Sequence, residues 1–196
     1  MGIYVKTGGK LTVTGNVIAN HKMFVEGTCI VNTGNVTVKD TTFTSSTLKV
    51  SGTLQTKTGS ITSTGGYNAI NVASNGVLKS ATTVTGTTTG ADVYSGIYTE
   101  GSVSGTNITG TATNGFSGIQ SNGSITATGT VSGTGKFYGV DNPSQITAKV
   151  VRGKGNSLGI YCPSSCVIKA TSAVQYCSVL NNEGTISPTP VQNCNW

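Results

Sequence analysis

A short block of residues recurs along this chain at a nearly constant interval. The block opens with a Gly-Ile step and closes with a second apolar residue six to eight positions later, often across a Gly or Asn-Gly turn. Residues 2–15, 95–105 and 117–129 are three of its copies. Recurrence at a period of about 20–50 residues is the signature of a repeat array, so we expect one small structural unit to be used many times.

The first apolar positions of the blocks set the period. In chain order they are Ile3, Val25, Leu48, Ile70, Ile97, Ile119, Val140 and Ile160, separated by 20 to 23 residues except for one interval of 27. The second apolar positions are Leu11, Val77, Val103, Ile125, Ile146 and Val167. A single unit cannot bury these side chains, whereas stacked units place each apolar residue on the one above it.

The sequence therefore predicts an all-β fold, a single-stranded parallel β-solenoid of about 8–9 coils of 20–23 residues over residues 1–180. Residues 82–90 lie inside the long interval and are expected to form a longer coil or a protruding loop. Residues 181–196 read as a Pro-containing tail, docked on its own coils or on a neighbouring chain. The alternative all-β fold, an immunoglobulin-like sandwich, does not require aligned Gly-Ile blocks.

The pattern Gly-Ile-x-x-x-Gly-x-Leu/Ile-Thr-Val/Ala-x-Gly, over residues 2–172, resembles the repeats of secreted bacterial right-handed β-helix modules. That group includes polysaccharide-binding β-helix domains, surface adhesins and polysaccharide lyases. The resemblance implies a right-handed β-helix that works outside the cell, and it leaves the function open.

The composition agrees with a solenoid. Thr, Gly, Ser and Asn make up about half of the chain, and only 9% of the residues are charged. Thr, Ser and Asn are expected to form outward ladders, and Gly is expected to supply positive φ at the corners. Helix formers are too scarce for a helical bundle, and no run reaches the ~18–20 apolar residues of a membrane span.

The positive charge is dispersed. The chain has 12 Lys and Arg residues and a net charge of +6, and the basic residues are scattered singly rather than clustered. Nucleic-acid readers concentrate basic residues on one face, so we expect no nucleic-acid partner. A weak attraction to acidic polysaccharide is compatible with this charge.

The titratable residues do not form a catalytic pattern. The six acidic residues are isolated from one another: Glu26, Asp40, Asp92, Glu100, Asp141 and Glu183. Glycosidases need a carboxylate pair, and the lyase-like repeats that bind calcium carry Asp pairs. His21, the single histidine, has no Cys or Asp close to it in sequence. We therefore expect no enzyme, no metal and no cofactor, with a degraded polysaccharide lyase as the third-ranked alternative.

The cysteines favour disulfides over a metal site, because they lack a second closely spaced pair. Cys162, Cys166, Cys177 and Cys194 lie in the last quarter, and Cys29 stands alone. Disulfides indicate an oxidising, extracellular compartment, although residues 1–5 do not resemble a secretory signal. With five cysteines, we expect Cys29 or Cys194 to link chains. The alternative is a Cys177–Cys194 bond that fastens the tail to its own domain.

These observations predict a non-enzymatic extracellular structural or adhesive solenoid that assembles head-to-tail into filaments of identical subunits, with inter-chain disulfides. The alternative is a carbohydrate-binding module for plant or cell-wall polysaccharide. Tyr4, Tyr98 and Tyr161 follow their Gly-Ile steps in register. A glycan would be bound by four candidate residues: Tyr98, Tyr161, Lys149 and Lys169.

A third binding hypothesis concerns Thr-x-Thr steps. Those at residues 12–14 and 126–128 are similar to the steps of ice-binding solenoids. The matching positions in later coils are Thr147 with Lys149 and Lys169 with Thr171, so charge interrupts the ladder. We interpret these steps as structural ladders.

Overall fold

Strands one coil apart pair in parallel throughout the described residues of this chain. The computed structural model describes residues 2–42, 44–90 and 94–196, and these contain strands and turns but no helix. The strands stack as a parallel β-solenoid of about eight turns, so the predicted fold class is confirmed. Each coil has three sides, and we call the resulting surfaces face one, face two and face three.

Face one is a sheet of nine strands: β1 (Ile3–Val5), β4 (Met23–Val25), β7 (Leu48–Val50), β10 (Ile70–Val72), β13 (Ile97–Thr99), β16 (Ser117–Ser121), β19 (Tyr138–Asp141), β21 (Leu158–Cys162) and β23 (Leu180–Asn182). Faces two and three share two long strands that bend around the corner between them, β20 (Gln145–Gly155) and β22 (Val167–Cys177).

The other strands of face two are β2 (Lys10–Thr14), β5 (Thr28–Thr33), β8 (Thr53–Thr56), β11 (Val77–Lys79), β14 (Ser102–Gly105), β17 (Ser124–Ala127) and β24 (Thr185–Ser187). The other strands of face three are β3 (Val17–Ala19), β6 (Val36–Asp40), β9 (Ile61–Gly65), β12 (Thr83–Thr88), β15 (Asn107–Ala112), β18 (Thr130–Gly135) and β25 (Val191–Gln192). Residues 181–196 thus continue the stack, since β24 and β25 both pair with β22.

Three columns of apolar side chains fill the interior, one behind each face. The face-one column is Ile3, Met23, Leu48, Ile70, Ile97, Ile119, Val140, Ile160 and Leu180. The face-two column is Leu11, Cys29, Leu54, Leu78, Val103, Ile125, Ile146, Ile168 and Ile186. The face-three column is Val17, Val36, Ile61, Val84, Ile108, Val131, Val151 and Val174. Burial of these columns is the main stabilising term of the fold.

The structure corrects the sequence prediction of three inward positions. Ile3 pairs with Met23, so Val25 lies two residues beyond the predicted position, beside Val5. Val77 is 39% exposed, and Leu78, the next residue, points inward in its place. Val167 is likewise displaced by its neighbour Ile168. In both coils the inward residues of faces one and two are eight positions apart, whereas six positions separate Val140 from Ile146 and Ile119 from Ile125, so the predicted interval of seven selected the outward neighbour.

The segment 82–90 is not a loop. It contains β12, which pairs with β9 on one side and β15 on the other as a regular strand of face three. The extra residues of the 27-residue interval follow β12, in the stretch from residue 89 to residue 96. That stretch includes Asp92, which lies outside the described residues.

Glycine has a different role from the one expected. Among the described glycines, only Gly8, Gly15 and Gly34 have positive φ. Others allow two backbones to touch where face three of one coil meets face one of the next. A Cβ on Gly110 would overlap the Gly118 carbonyl oxygen and lie 2.6 Å from Ile119 Cγ1. Equivalent overlaps join Gly86 with Gly96, Gly133 with Gly139, and Gly153 with Gly159.

The cysteines pair within the chain. Cys162 bonds to Cys166 across the corner before β22, and Cys177 at the end of β22 bonds to Cys194. Cys29 is a free cysteine buried inside the face-two column, and this burial raises its pKa to about 11. Cys194 is thus bonded within its own chain and fastens the tail to its own domain, and the burial of Cys29 disfavours the expected link to a second chain. Closing a loop of this length with a disulfide raises the free energy of unfolding by about 3 kcal/mol.

The glycine contacts predict a strong effect of a single methyl group. We expect Gly110→Ala to lower the free energy of unfolding by about 3 kcal/mol, because the backbones of β15 and β16 must separate. Gly105→Ala is the matched control, since its Cβ would lie no closer than 3.2 Å to a neighbouring atom. Urea unfolding followed by circular dichroism measures both changes. Equal losses in the two variants would contradict this account of the corner.

Candidate binding groove on face one

Face one turns one side chain from each coil outward, in a single column. In order along the stack the column is Tyr4, Phe24, Lys49, Asn71, Tyr98, Gln120, Asp141, Tyr161 and Asn181. The predicted alignment of Tyr4, Tyr98 and Tyr161 is confirmed. Because the coils stack at about 4.8 Å, the column repeats its functional groups at that interval along the axis.

A groove of about 390 Å³ lies over the part of this column that β4, β7 and β10 contribute. Phe24, Lys49 and Asn71 form its floor. Residues 44–46 and Tyr67 line it from the corner that leads out of face three, and Glu26 and Ser51 line it from the corner that leads into face two. Its volume lies within the range of small-ligand sites, and its walls combine aromatic and polar groups.

Hydrogen bonds of Asp40 hold the loop before β7 in place. Its carboxylate accepts from the Thr42 backbone N–H at 3.0 Å and the Thr42 hydroxyl at 2.8 Å, and Lys22 Nζ lies 3.8 Å away. Lys22 also donates to the Thr44 hydroxyl, which lines the groove. Burial by itself raises the pKa of Asp40, but the Thr42 hydrogen bonds and the charges of Lys22 and His21 outweigh it, so the pKa is lowered. The ionised carboxylate therefore positions this wall.

A pair of aromatic rings supports the same side of the groove, one coil farther along. Tyr67 lines the groove, and its ring centroid lies 4.0 Å from that of Tyr94, with the planes tilted by 36°. Such a pair contributes about 0.5–1.5 kcal/mol beyond its buried area. This packing holds the Tyr67 ring in place beside the groove.

Carboxylates fix two of the three tyrosines of the column. The Tyr4 hydroxyl donates to Glu26 at 2.6 Å, and the Tyr98 hydroxyl donates to Glu100 at 2.7 Å. The hydrogen bond to Glu26 raises the pKa of Tyr4, and burial followed by the Glu100 bond raises the pKa of Tyr98. Asn122 Nδ2 donates to the Tyr98 hydroxyl at 3.2 Å. Glu26 and Glu100 therefore act as supports for aromatic rings.

A second aromatic cluster lies farther along face one, around Asp141. The Tyr138 and Tyr161 rings stack at 5.9 Å, and the Phe116 ring packs edge-on against Tyr138 at 4.8 Å. Asp141 lies in the outward column between Gln120 and Tyr161 but is only 8% exposed. Burial raises its pKa to about 6. Its charge therefore changes within the physiological pH range.

The four candidate glycan-binding residues are divided between surfaces. Tyr98 and Tyr161 share the face-one column, with Gln120 and Asp141 between them. Lys169 points outward from face two, next to Thr147. Lys149 is exposed at the bend of β20, between faces two and three. The structure therefore does not place the two lysines on the face that carries the tyrosines.

Sequence reasoning missed the residues that form the groove itself. Phe24 occupies the same column as Tyr4, but aligning Val25 with Ile3 concealed that equivalence. Lys49 and Asn71 follow confirmed inward positions, so the alternation of the strand would have identified both. Tyr67 belongs to a corner, for which the repeat has no fixed pattern.

No protein-family model, no curated protein and no solved structure matches this chain. The resemblance to secreted β-helix modules therefore holds only at the level of the parallel solenoid. In the described ranges, no group of three or more His, Cys, Asp or Glu residues is placed to hold a metal ion. The same ranges contain no helix long and apolar enough to cross a membrane.

The raised pKa of Asp141 predicts a pH-dependent stability. An unfolded Asp loses its proton near pH 4, whereas folded Asp141 keeps it until about pH 6. The folded state thus binds more protons between these values, and its stability falls as the pH rises through them.

Asp141→Asn should remove this loss. We expect the variant and the wild type to be similar at pH 4, and the variant to be more stable by on the order of 2 kcal/mol at pH 7. Glu183→Gln, at an exposed position, is the control. Urea unfolding across this pH range measures the difference, and parallel stability curves for wild type and Asp141→Asn would refute the assignment.

Proposed function

We propose that this chain is an extracellular, non-catalytic binding solenoid that holds an extended polysaccharide along face one. The observation that carries the proposal is the groove of about 390 Å³ over the outward column. A linear polymer and a solenoid column both repeat along one axis, so successive sugar units meet equivalent positions on successive coils.

The groove contains the two kinds of group that sugar binding uses. The Phe24 and Tyr67 rings offer apolar surfaces for the C–H face of a sugar ring. The Asn71 amide, the Ser45 and Ser51 hydroxyls and the Lys49 ammonium offer hydrogen bonds to sugar hydroxyl or carboxylate groups. A site with these groups can bind one side of a sugar ring while the other side stays in contact with solvent.

The column extends the binding surface beyond the groove. Tyr98 follows Asn71 by one coil, and its hydroxyl is held by Glu100 and Asn122. The aromatic cluster of Tyr138 and Tyr161 lies farther along the same face. Rings that are fixed before the ligand arrives lose little conformational entropy on binding, which favours affinity.

The placement of the carboxylates supports a binding role over catalysis. Among the described residues, Glu26 is the one acidic residue that lines the groove, and it accepts hydrogen bonds from Tyr4 and Thr7. Glycoside hydrolysis needs two carboxyl groups on either side of the scissile bond, and the groove lining supplies one.

Two further features indicate the setting and the ligand class. The two disulfides favour an oxidising compartment, which supports an extracellular location. The net charge of +6 and the ammonium of Lys49 in the groove floor favour an acidic polysaccharide, such as a polygalacturonate.

Affinity electrophoresis through gels containing polygalacturonate tests the proposal, with a soluble cellulose derivative and a soluble chitin derivative as neutral comparisons. We expect the polygalacturonate gel to retard the wild type. We expect Lys49→Gln to weaken retention about tenfold, the effect of losing one charge-assisted hydrogen bond.

Lys79→Gln is the matched control, because Lys79 is an exposed lysine on a strand of equal length on face two. Retention that falls equally in both variants would show non-specific attraction by net charge. That result, or no retention on any of the three polymers, would overturn the proposal.

End-to-end assembly into filaments is a second candidate, favoured by the side chains at the two ends of the stack. Ile3 and Leu11 of the first coil are only partly buried, as are Leu180 and Ile186 of the last. Stacking a second copy would place Leu180 on Ile3 and Ile186 on Leu11, which would extend two of the inner columns. The contact would then run through faces one and two.

Sedimentation velocity over a range of concentrations tests this candidate, together with negative-stain imaging. We expect the wild type to form rods longer than one chain, and Ile186→Lys to shift the population towards monomers at least fivefold. Val77→Lys, on the exposed surface of face two, is the control. A wild type that stays monomeric at every concentration would rule out assembly.

A further inference from the structure

Face three carries a regular array of hydroxyl groups that the groove does not use. Four consecutive strands, β9, β12, β15 and β18, each turn two such residues outward, and backbone pairing aligns them in two columns. We call these eight residues the threonine array: Thr62, Thr85, Thr109 and Ser132 in one column, and Thr64, Thr87, Thr111 and Thr134 in the other.

The array is interrupted only at its ends. Lys39 precedes Thr64 in its column, and Arg152 and Lys154 follow Ser132 and Thr134. Between these charges, every outward position of the two columns is Thr or Ser. The array is thus an uncharged area bordered by Lys39, Arg152 and Lys154, and Thr37 continues its first column by one coil.

The hydroxyls of the array are available to a ligand. Across the described part of the chain, none of the eight hydroxyls makes a hydrogen bond to another protein group. Elsewhere in the solenoid, buried hydroxyls do find partners: Thr56 Oγ1 donates to the Gly59 carbonyl at 2.6 Å, and Ser63 Oγ to the Ala69 carbonyl at 2.6 Å. Free donors and acceptors therefore distinguish the array from the structural hydroxyls.

The backbone behind the array is closely packed and fully paired. Gly86, Gly110 and Gly133 lie between the paired array residues of their strands and contact the carbonyls of face one. Each array strand also pairs with neighbours along its length. The outward groups therefore keep their spacing before any ligand arrives, which lowers the cost of binding.

The array repeats in two directions, and this restricts what fits it. Its spacing is about 4.8 Å between coils and about 6.6–6.8 Å between alternate residues on a strand. A ligand that repeats in two directions is a crystal surface. Crystalline polysaccharides are gripped through aromatic rings, and calcium minerals through carboxylates, whereas the array has neither side chain.

We propose that the threonine array binds the surface of ice. Tetrahedral water with O···O distances of about 2.75 Å places second-neighbour oxygens about 4.5 Å apart, and the hexagonal lattice repeats along its axis at about 7.3 Å. Both spacings of the array lie within about a tenth of these values. Each threonine offers a hydroxyl that hydrogen-bonds to a lattice water and a methyl group that orders the waters around it.

The array differs from the Thr-x-Thr steps that the sequence brought to attention. Thr126 lies on face two, in a column that also contains Lys79 and Lys169. Charges break that column, as expected. The uninterrupted steps lie on face three, whose strands the sequence prediction left unassigned.

Thermal hysteresis and inhibition of ice recrystallisation test the proposal on the whole chain. We expect the wild type to show both activities and to shape ice crystals into facets. Thr87→Lys, in the middle of the array, should lower the hysteresis at least fivefold at equal concentration, because the lysine prevents close contact with a flat lattice. Thr87→Ser, which keeps the hydroxyl and loses the methyl group, should lower it less.

Ser102→Lys is the matched control, since Ser102 occupies a central outward position on face two. Circular dichroism confirms that each variant folds, and a fluorescently labelled protein reports incorporation into a growing ice crystal. A wild type with no more activity than serum albumin would overturn the proposal, as would equal losses in Thr87→Lys and Ser102→Lys. Array-dependent binding to crystalline cellulose or chitin without ice activity would also overturn it.

The two proposals can fail separately because they use different faces. Lys49→Gln should leave ice activity unchanged, and Thr87→Lys should leave polysaccharide retention unchanged. A loss of both activities in either variant would contradict the division of function between faces one and three.

Discussion

Backbone pairing between successive coils is the interaction on which the rest of the structure depends. Each strand hydrogen-bonds in parallel to the strand one coil away, so equivalent residues of successive coils lie directly above one another. This register turns a repeated inward Ile, Val or Leu into a continuous apolar column. It also turns each outward position into a column, which is why a chain with few charged residues has surfaces of distinct chemistry.

Close backbone contact determines much of the unusual composition. At the corner between faces three and one, paired glycines bring two strands so near that a Cβ on Gly110 or Gly133 would overlap a carbonyl oxygen. In the Gly-Ile step, the glycine thus allows the close backbone contact at the corner, and the isoleucine after it points into the core. The close approach of these strands makes the core narrow. At the last coils, where Leu180 and Ile186 are only partly covered, the Cys177–Cys194 disulfide adds stability.

The faces divide the surface into a groove and a flat array. Face one is flanked by corner loops that rise beside Lys49, and carboxylates hold two of its tyrosines in fixed positions. Face three carries short hydroxyl side chains at Thr85, Thr109 and the other positions of the array. A groove with aromatic walls suits a single polymer chain, and a flat array of equal hydroxyls suits a periodic surface. Both properties follow from which outward residue each coil supplies.

The sequence by itself determined the period, the parallel solenoid and most of the inward positions that it assigned on faces one and two, because a Gly-Ile step followed by alternating side chains is a local pattern. It also indicated that Tyr98 and Tyr161 share a column. Only the tertiary structure decided the register between coils. A shift of two residues, such as Met23 for Val25 beside Ile3, keeps the inward-outward alternation and yet changes every lateral neighbour. The groove at Phe24 and the array at Thr87 depend on those neighbours, so neither was visible before the coils were stacked.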